Sequence, residues 1–137
     1  MAETIKVSTF VNVPKESVWE YFTLPEHITG WYFATPEWRC PRAENDLRKD
    51  GKFTYRMEAK DGSVGFDFAG TYDEVVLGKE LRYTLDDGRK VTVTFDENSD
   101  GTLITETFHA DAKIPLEMQQ QGWQNILNNF KQYAESQ

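Results

Sequence analysis

The sequence predicts an α+β fold in which an antiparallel meander of about six strands curls around one long C-terminal helix. Three observations predict it. From Asp50 to Ala110 apolar and polar side chains alternate with a period of two, the spacing of a half-buried strand. Asp61-Gly62, Asp87-Gly88 and Asp100-Gly101 interrupt that stretch, and Asp-Gly is a strong hairpin signal because both residues tolerate the positive φ of a type I′ turn. From Pro115 to about Ala134 the apolar spacing returns to three and four residues, as one face of a helix requires.

Each element follows in turn. Residues 4–13, Thr-Ile-Lys-Val-Ser-Thr-Phe-Val-Asn-Val, are rich in β-branched side chains and form the first strand. Pro14 ends it and suits the first turn of a helix, where a missing N–H costs nothing. Val18, Trp19 and Phe22 are the apolar stripe of that helix. Pro25 opens a second short helical stretch, closed near Gly30. In the meander, Phe53, Tyr55 and Met57 share one face, as do Phe66 and Phe68, then Leu81, Tyr83 and Leu85, then Val91, Val93 and Phe95. Gly78-Lys79 supplies a further break. Tight turns between the runs make the pairing antiparallel. Gly70 inside a strand suggests a bulge or bend. In the last helix Met118, Trp123, Ile126, Leu127, Phe130 and Tyr133 fall on one side, and Gly122 suggests a close approach of helix to sheet.

The whole chain, residues 1–137, is expected to form a single domain. Its 15 Lys and Arg against 23 Asp and Glu give a net charge of −8, which argues against nucleic-acid binding and against anionic membrane surfaces. Cys40 is the only cysteine, so there is no internal disulfide. The first residues, Met1-Ala2-Glu3-Thr4-Ile5-Lys6, have no secretory apolar core, and the longest apolar run is Trp31–Ala34. A soluble, cytoplasmic protein without membrane insertion is expected.

An antiparallel sheet must cover its apolar face, and one helix of about 30 Å is the only element long enough to do so. One helix cannot fill a broad curved sheet. The space between them is expected to be an apolar cavity lined by Trp31, Phe33, Phe53, Tyr55, Met57, Phe66, Phe68, Tyr83, Met118, Trp123, Ile126 and Phe130. The alternative is that these rings are plain core. Trp31-Tyr32-Phe33 and Trp38 are expected to close the core's open end rather than form a lid or partner patch.

Three stretches carry a family resemblance. Phe68-Ala69-Gly70-Thr71-Tyr72-Asp73-Glu74-Val75 is similar to an F-x-G-x-Y-x-E-V strand, and Leu81-Arg82-Tyr83-Thr84 to the L-x-Y-T strand that follows it. Gly122-Trp123 through Leu127, Phe130 and Tyr133 resembles a G-W-x-x-x-L-x-x-L-x-x-Y final helix, and Val13-Pro14 with Val18-Trp19 matches the entry to the first helix. In this order they resemble the activator of Hsp-90 ATPase homologue-like family, a branch of the START-like (SRPBCC) superfamily. The resemblance implies a helix-grip fold and a cavity for a hydrophobic small molecule or lipid. Through the family's name it implies a chaperone partner or a stress-related interaction role. The likeness is to the second domain of the co-chaperone that names the branch, and some members of the superfamily are enzymes.

No catalytic residue, metal ligand or cofactor is assigned. His27, His109 and Cys40 match no ligand spacing. His109 lies three residues after Glu106 and so faces the other side of its strand. His27 is expected to cap or line the cavity mouth. The cations Arg39 and Arg42 around Cys40 would lower its thiol pKa if it were exposed. Arg56 and Glu58 are expected outside the cavity. Nucleophile and phosphate-loop motifs are absent. The expected function is therefore non-enzymatic binding of a hydrophobic small molecule by a monomer or dimer. A chaperone-associated module is the first alternative. A small enzyme is the second, and it would need an inward titratable group of perturbed pKa.

Overall fold

A computed structural model describes residues 3–137. Met1 and Ala2, which belong to the start of the expected domain, lie outside the described residues. In chain order the elements are β1 (Thr4–Val11), α1 (Lys15–Thr23), α2 (Pro25–Ile28), β2 (Trp38–Arg39), β3 (Ala43–Asn45), β4 (Lys52–Ala59), β5 (Gly65–Val76), β6 (Glu80–Leu85), β7 (Lys90–Asn98), β8 (Gly101–His109) and α3 (Leu116–Glu135). All strands form one antiparallel sheet in the order β1-β8-β7-β6-β5-β4-β2, with β3 also on β4. The sheet curls into a half-barrel around α3, the helix-grip architecture.

The curl has a local cause. The β5–β6 register shifts between Tyr72 and Glu74, so Asp73 is an extra residue in β5. It lets Tyr72 and Val75, an odd number apart, both face the core, and such a bulge sharpens strand twist. Gly70, expected at the bend, instead makes room. A Cβ there would sit 2.9 Å from the Phe53 ring and 2.7 Å from the Thr84 carbonyl oxygen.

Three of the four hairpins fall at the Asp-Gly pairs and the β5–β6 hairpin at Gly78, but the turns at Asp61-Gly62 and Asp87-Gly88 are not type I′. Gly62 and Gly88 have φ of 78° and 93°, whereas neither Asp61 nor Asp87 has positive φ. Each aspartate uses its carboxylate instead, accepting from the backbone N–H two residues on, Ser63 (2.8 Å) and Arg89 (3.0 Å). The result is an Asx turn followed by a single left-handed glycine.

Pro115 caps α3, and Gln119 fixes the approach to it. The Gln119 amide donates to the Asp111 and Ile114 carbonyls and accepts from the Asp111 N–H, all at 2.7 Å. The helix then lays Leu127, Phe130 and Ala134 into the sheet. Phe130 is fully buried and is wedged between Phe22 of α1 (5.2 Å) and Trp31 (4.7 Å), while Phe22 also meets Phe95 of β7 (5.2 Å). These edge-on pairs tie both short helices, the sheet and α3 into one core. Trp31 and Tyr32 are 1% and 8% exposed. They close the end of the core, and they present no surface patch.

Replacing Phe130 with Ala removes the wedge and should cost about 3–5 kcal/mol. Guanidinium unfolding checks this, and a loss under about 1 kcal/mol would contradict the packing described.

Candidate functional site

Where α3 stops covering the sheet, a groove of about 570 Å³ opens. Trp38, Met57, Phe66 and Phe68 line its sheet side; Met118, Gly122, Trp123 and Ile126 line its helix side; Tyr32, Ala34 and Thr35 lie between, and Ile114, Gln119 and Arg89 complete it. Arg89 is held by Asp87 at 2.8 Å. Trp123 lies flat on Phe108 of β8 (3.7 Å between centroids) and edge-on to Phe68 (6.0 Å). Trp38 meets Phe66 edge-on at 5.9 Å.

Six of the twelve expected lining residues meet here: Met57, Phe66, Phe68, Met118, Trp123 and Ile126. Trp31, Phe53 and Phe130 are sealed core instead, at most 2% exposed. Tyr55 and Tyr83 are also buried, and Phe33 packs beside α3 at a separate dimple with Gly30 and Tyr133. The reason is depth: the short helices and residues 31–33 fill the centre of the cup, so only rings near its open rim face free space. Two of the six are also more exposed than core residues, Phe66 at 50% and Met118 at 65%, because the β4–β5 hairpin and the first turn of α3 project past each other's cover. Gly122 makes no close approach either; a Cβ there would have nothing within 4 Å. It faces the groove.

The sequence-based assignment missed Glu106. In β8, Thr102, Ile104, Glu106 and Phe108 are buried, with more accessible residues between them. Glu106 thus points to the concave side, paired across the ladders with Val7 and Val93. The period-two pattern from Ile104 to Phe108 was the available signal. Glu106 is 7% exposed, and it has no hydrogen-bond or ion-pair partner among the described residues. Burial alone pushes its carboxyl up to about 8. Nearby hydroxyls are also shifted upward: Tyr32, Tyr55 and Tyr83 well above the usual phenol value, chiefly through burial, and Tyr72 to about 12. The Tyr72 hydroxyl donates to Asn45 Oδ1 at 2.6 Å.

The other candidates lie elsewhere. His109 is on the outer side of β8, where its Nδ1 accepts from the Lys90 N–H (3.3 Å). His27 does not line the groove; its Nδ1 shares a 2.7 Å hydrogen bond with the Tyr133 hydroxyl, under Tyr21. Cys40 is buried, and burial pushes its thiol up to about 11, away from reactivity. Arg56 and Glu58 pair outside the cavity at 3.1 Å. Among the described residues no three His, Cys, Asp or Glu side chains converge as a metal site, and no helix is long and apolar enough to cross a membrane.

The model of the Activator of Hsp90 ATPase homolog 1-like protein family matches residues 12–135. The chain belongs to this family. Within it, the chain is similar to the AHSA1-like protein from Aeromonas hydrophila, whose solution NMR structure has 39% identity over 98% of this chain and 93% of that one, with a TM-score of 0.93. It is similar also to Chr148 from Cytophaga hutchinsonii (47% identity, 98% and 92% covered, TM-score 0.81) and to CV1439 from Chromobacterium violaceum (26%, 97% and 98%, TM-score 0.87). No curated protein matches the chain.

In this member of the Activator of Hsp90 ATPase homolog 1-like family, Glu106 should make stability fall as pH rises. An unfolded glutamate ionises near 4.5, the folded one near 8. Between those values the folded state holds a proton that the unfolded state has lost. Its contribution is intact below pH 4.5 and gone above pH 8, with a slope of at most about 1.4 kcal/mol per pH unit. Glu106→Gln should abolish that slope. Guanidinium unfolding at pH 5 and pH 7.5 checks it, and equal slopes in both proteins would refute it.

Proposed function

We propose that the protein binds a hydrophobic small molecule in the groove between the curled sheet and α3. The observation that carries this is the convergence of large apolar side chains that remain accessible, Phe66, Met118 and Ile114, on one concavity floored by Trp123 and Phe68. The groove's size falls within the range of sites for ligands of drug-like mass. Burying such a surface is worth roughly 25 cal/mol per Å², less the cost of association.

Gly122 supports the same conclusion. In a helix interior glycine costs about 1 kcal/mol relative to alanine, and no packing neighbour requires it here. Its effect is to keep the groove wall flat beside Trp123. The chaperone partner suggested by the family's name has less support in this chain. Of the loop aromatics that would form its patch, Trp31 and Tyr32 are buried and Phe33 and Trp38 only half-buried, so its support is those two rings and the net charge of −8.

The test uses 2-isopropylnaphthalene as an apolar probe, followed through the indole N–H resonances of Trp38 and Trp123. Saturable binding that perturbs both resonances is expected. Gly122→Leu should weaken it at least tenfold while leaving the unfolding midpoint unchanged or raised. No saturable binding in the parent protein would overturn the proposal.

A further inference from the structure

Glu106 is costly where it stands. A carboxyl taken out of water with nothing to hydrogen-bond it loses solvation without replacement. Among the described residues, no side-chain nitrogen or oxygen is both unpartnered and sealed from a water-sized sphere. The Glu106 oxygens have no protein partner, so they must border space that a small molecule or water can enter. The same holds for the Tyr32 and Tyr83 hydroxyls, which are also unpartnered in residues only 8% and 7% exposed.

The topology sets this space beside the groove. Glu106 and Phe108 lie two apart on the concave face of β8, a separation of about 7 Å. Trp123, a groove wall, lies on Phe108. Tyr32, also a groove wall, packs on Phe68 at 5.6 Å. Two groove walls thus stand close to Glu106: Trp123 lies on the neighbouring Phe108, and Tyr32 is within electrostatic reach of the carboxyl.

We propose, resting on the ligand-binding proposal above, that Glu106 and the Tyr32 and Tyr83 hydroxyls form the polar end of the site and select an apolar ligand that carries a neutral carbonyl oxygen. The chemistry follows from what surrounds the carboxyl. Beside it, β1 presents Val7 and β7 presents Val93. The inner face of α3 carries Trp123, Ile126, Leu127 and Phe130. The titratable groups turned toward it are Tyr32 and Tyr83, with Tyr55, Tyr72 and Cys40 behind them. None of these carries a charge at neutral pH. With no cation to stabilise an anion, Glu106 is held in its protonated form, which donates one hydrogen bond. Three O–H groups without protein partners then stand within electrostatic reach of one another, and a carbonyl oxygen accepts up to two of them.

The experiment compares 2-acetylnaphthalene with its near-isostere 2-isopropylnaphthalene, by titration calorimetry at pH 6.5 and pH 9, on the full chain and on its Glu106→Gln and Glu106→Leu variants. At pH 6.5 the parent protein should prefer the ketone roughly five- to tenfold, the effect of one added hydrogen bond. That preference should shrink at least threefold at pH 9, where the carboxyl has ionised and ceased to donate. Glu106→Gln, which always donates, should keep the preference at both pH values. Glu106→Leu should lose it at both. Equal binding of the two probes by the parent protein would overturn this inference and leave the ligand-binding proposal standing. Binding of neither would overturn both. Tighter binding of 2-(2-naphthyl)ethylamine than of the ketone, growing with pH, would overturn it in favour of an ionised Glu106 facing a cationic ligand.

Discussion

One helix has to cover a sheet much wider than itself. Seven strands abreast, about 4.8 Å apart, span roughly 30 Å, whereas a helix with its side chains is 10–12 Å across. Curling the sheet reduces the mismatch without removing it. Here the remainder is met by large rings carried on short elements. Trp19 and Phe22 of α1, Ile28 of α2 and Trp31 and Tyr32 beyond it fill the centre of the cup. Their supply stops at Trp38, and the groove begins where it stops. The groove is the part of the mismatch that the sequence leaves uncorrected.

The interior is also unusual in how it handles polarity. Four tyrosines, one cysteine and one glutamate are buried on the concave side of the sheet. Tyr72 is satisfied by Asn45, which in turn donates to the Thr23 carbonyl. That pairing anchors β3 and α1 to β5 and serves the fold. Glu106 has no such role. It crosslinks nothing, and the backbone ladders on both sides of it would form with any residue in its place. A leucine would pack there without the loss of solvation. Stability therefore gives no reason for a carboxyl at this position.

The fold was legible in the sequence because its signals are local. Pro115 and the three- and four-residue spacing after it give α3 to within a residue, and alternation gives the inner faces of β4, β6 and β7. The site was half legible, since a cavity depends on what does not fill it. Alternation puts Phe53 and Phe66 on one face, yet Phe53 is sealed and Phe66 stands half in solvent. The difference is set by how far α3 and the 31–38 segment reach, which no pattern within β4 or β5 encodes. The strands β2 and β3, two and three residues long, are too short to show a period. The extra residue at Asp73 leaves no mark beyond a polar residue where one was expected anyway. Glu106 was legible in principle: it occupies an inward slot between Ile104 and Phe108, and its identity breaks the apolar sequence of that face.

Two residues in this protein run against their local surroundings. Gly122 weakens the middle of α3 and Glu106 places a carboxyl in apolar core. Each has a costless replacement, alanine for one and leucine for the other. They come from consecutive elements, α3 and β8. What they share is Trp123: Gly122 precedes it in the helix, and Phe108, two residues from Glu106, lies under its ring. Gly122 leaves the groove wall open beside that indole, and Glu106 stands on the concave face of the strand beneath it. Folding alone would select against both, in separate places and for separate reasons. A molecule bound around Trp123, with its apolar body along the groove and its oxygen inward, accounts for both at once.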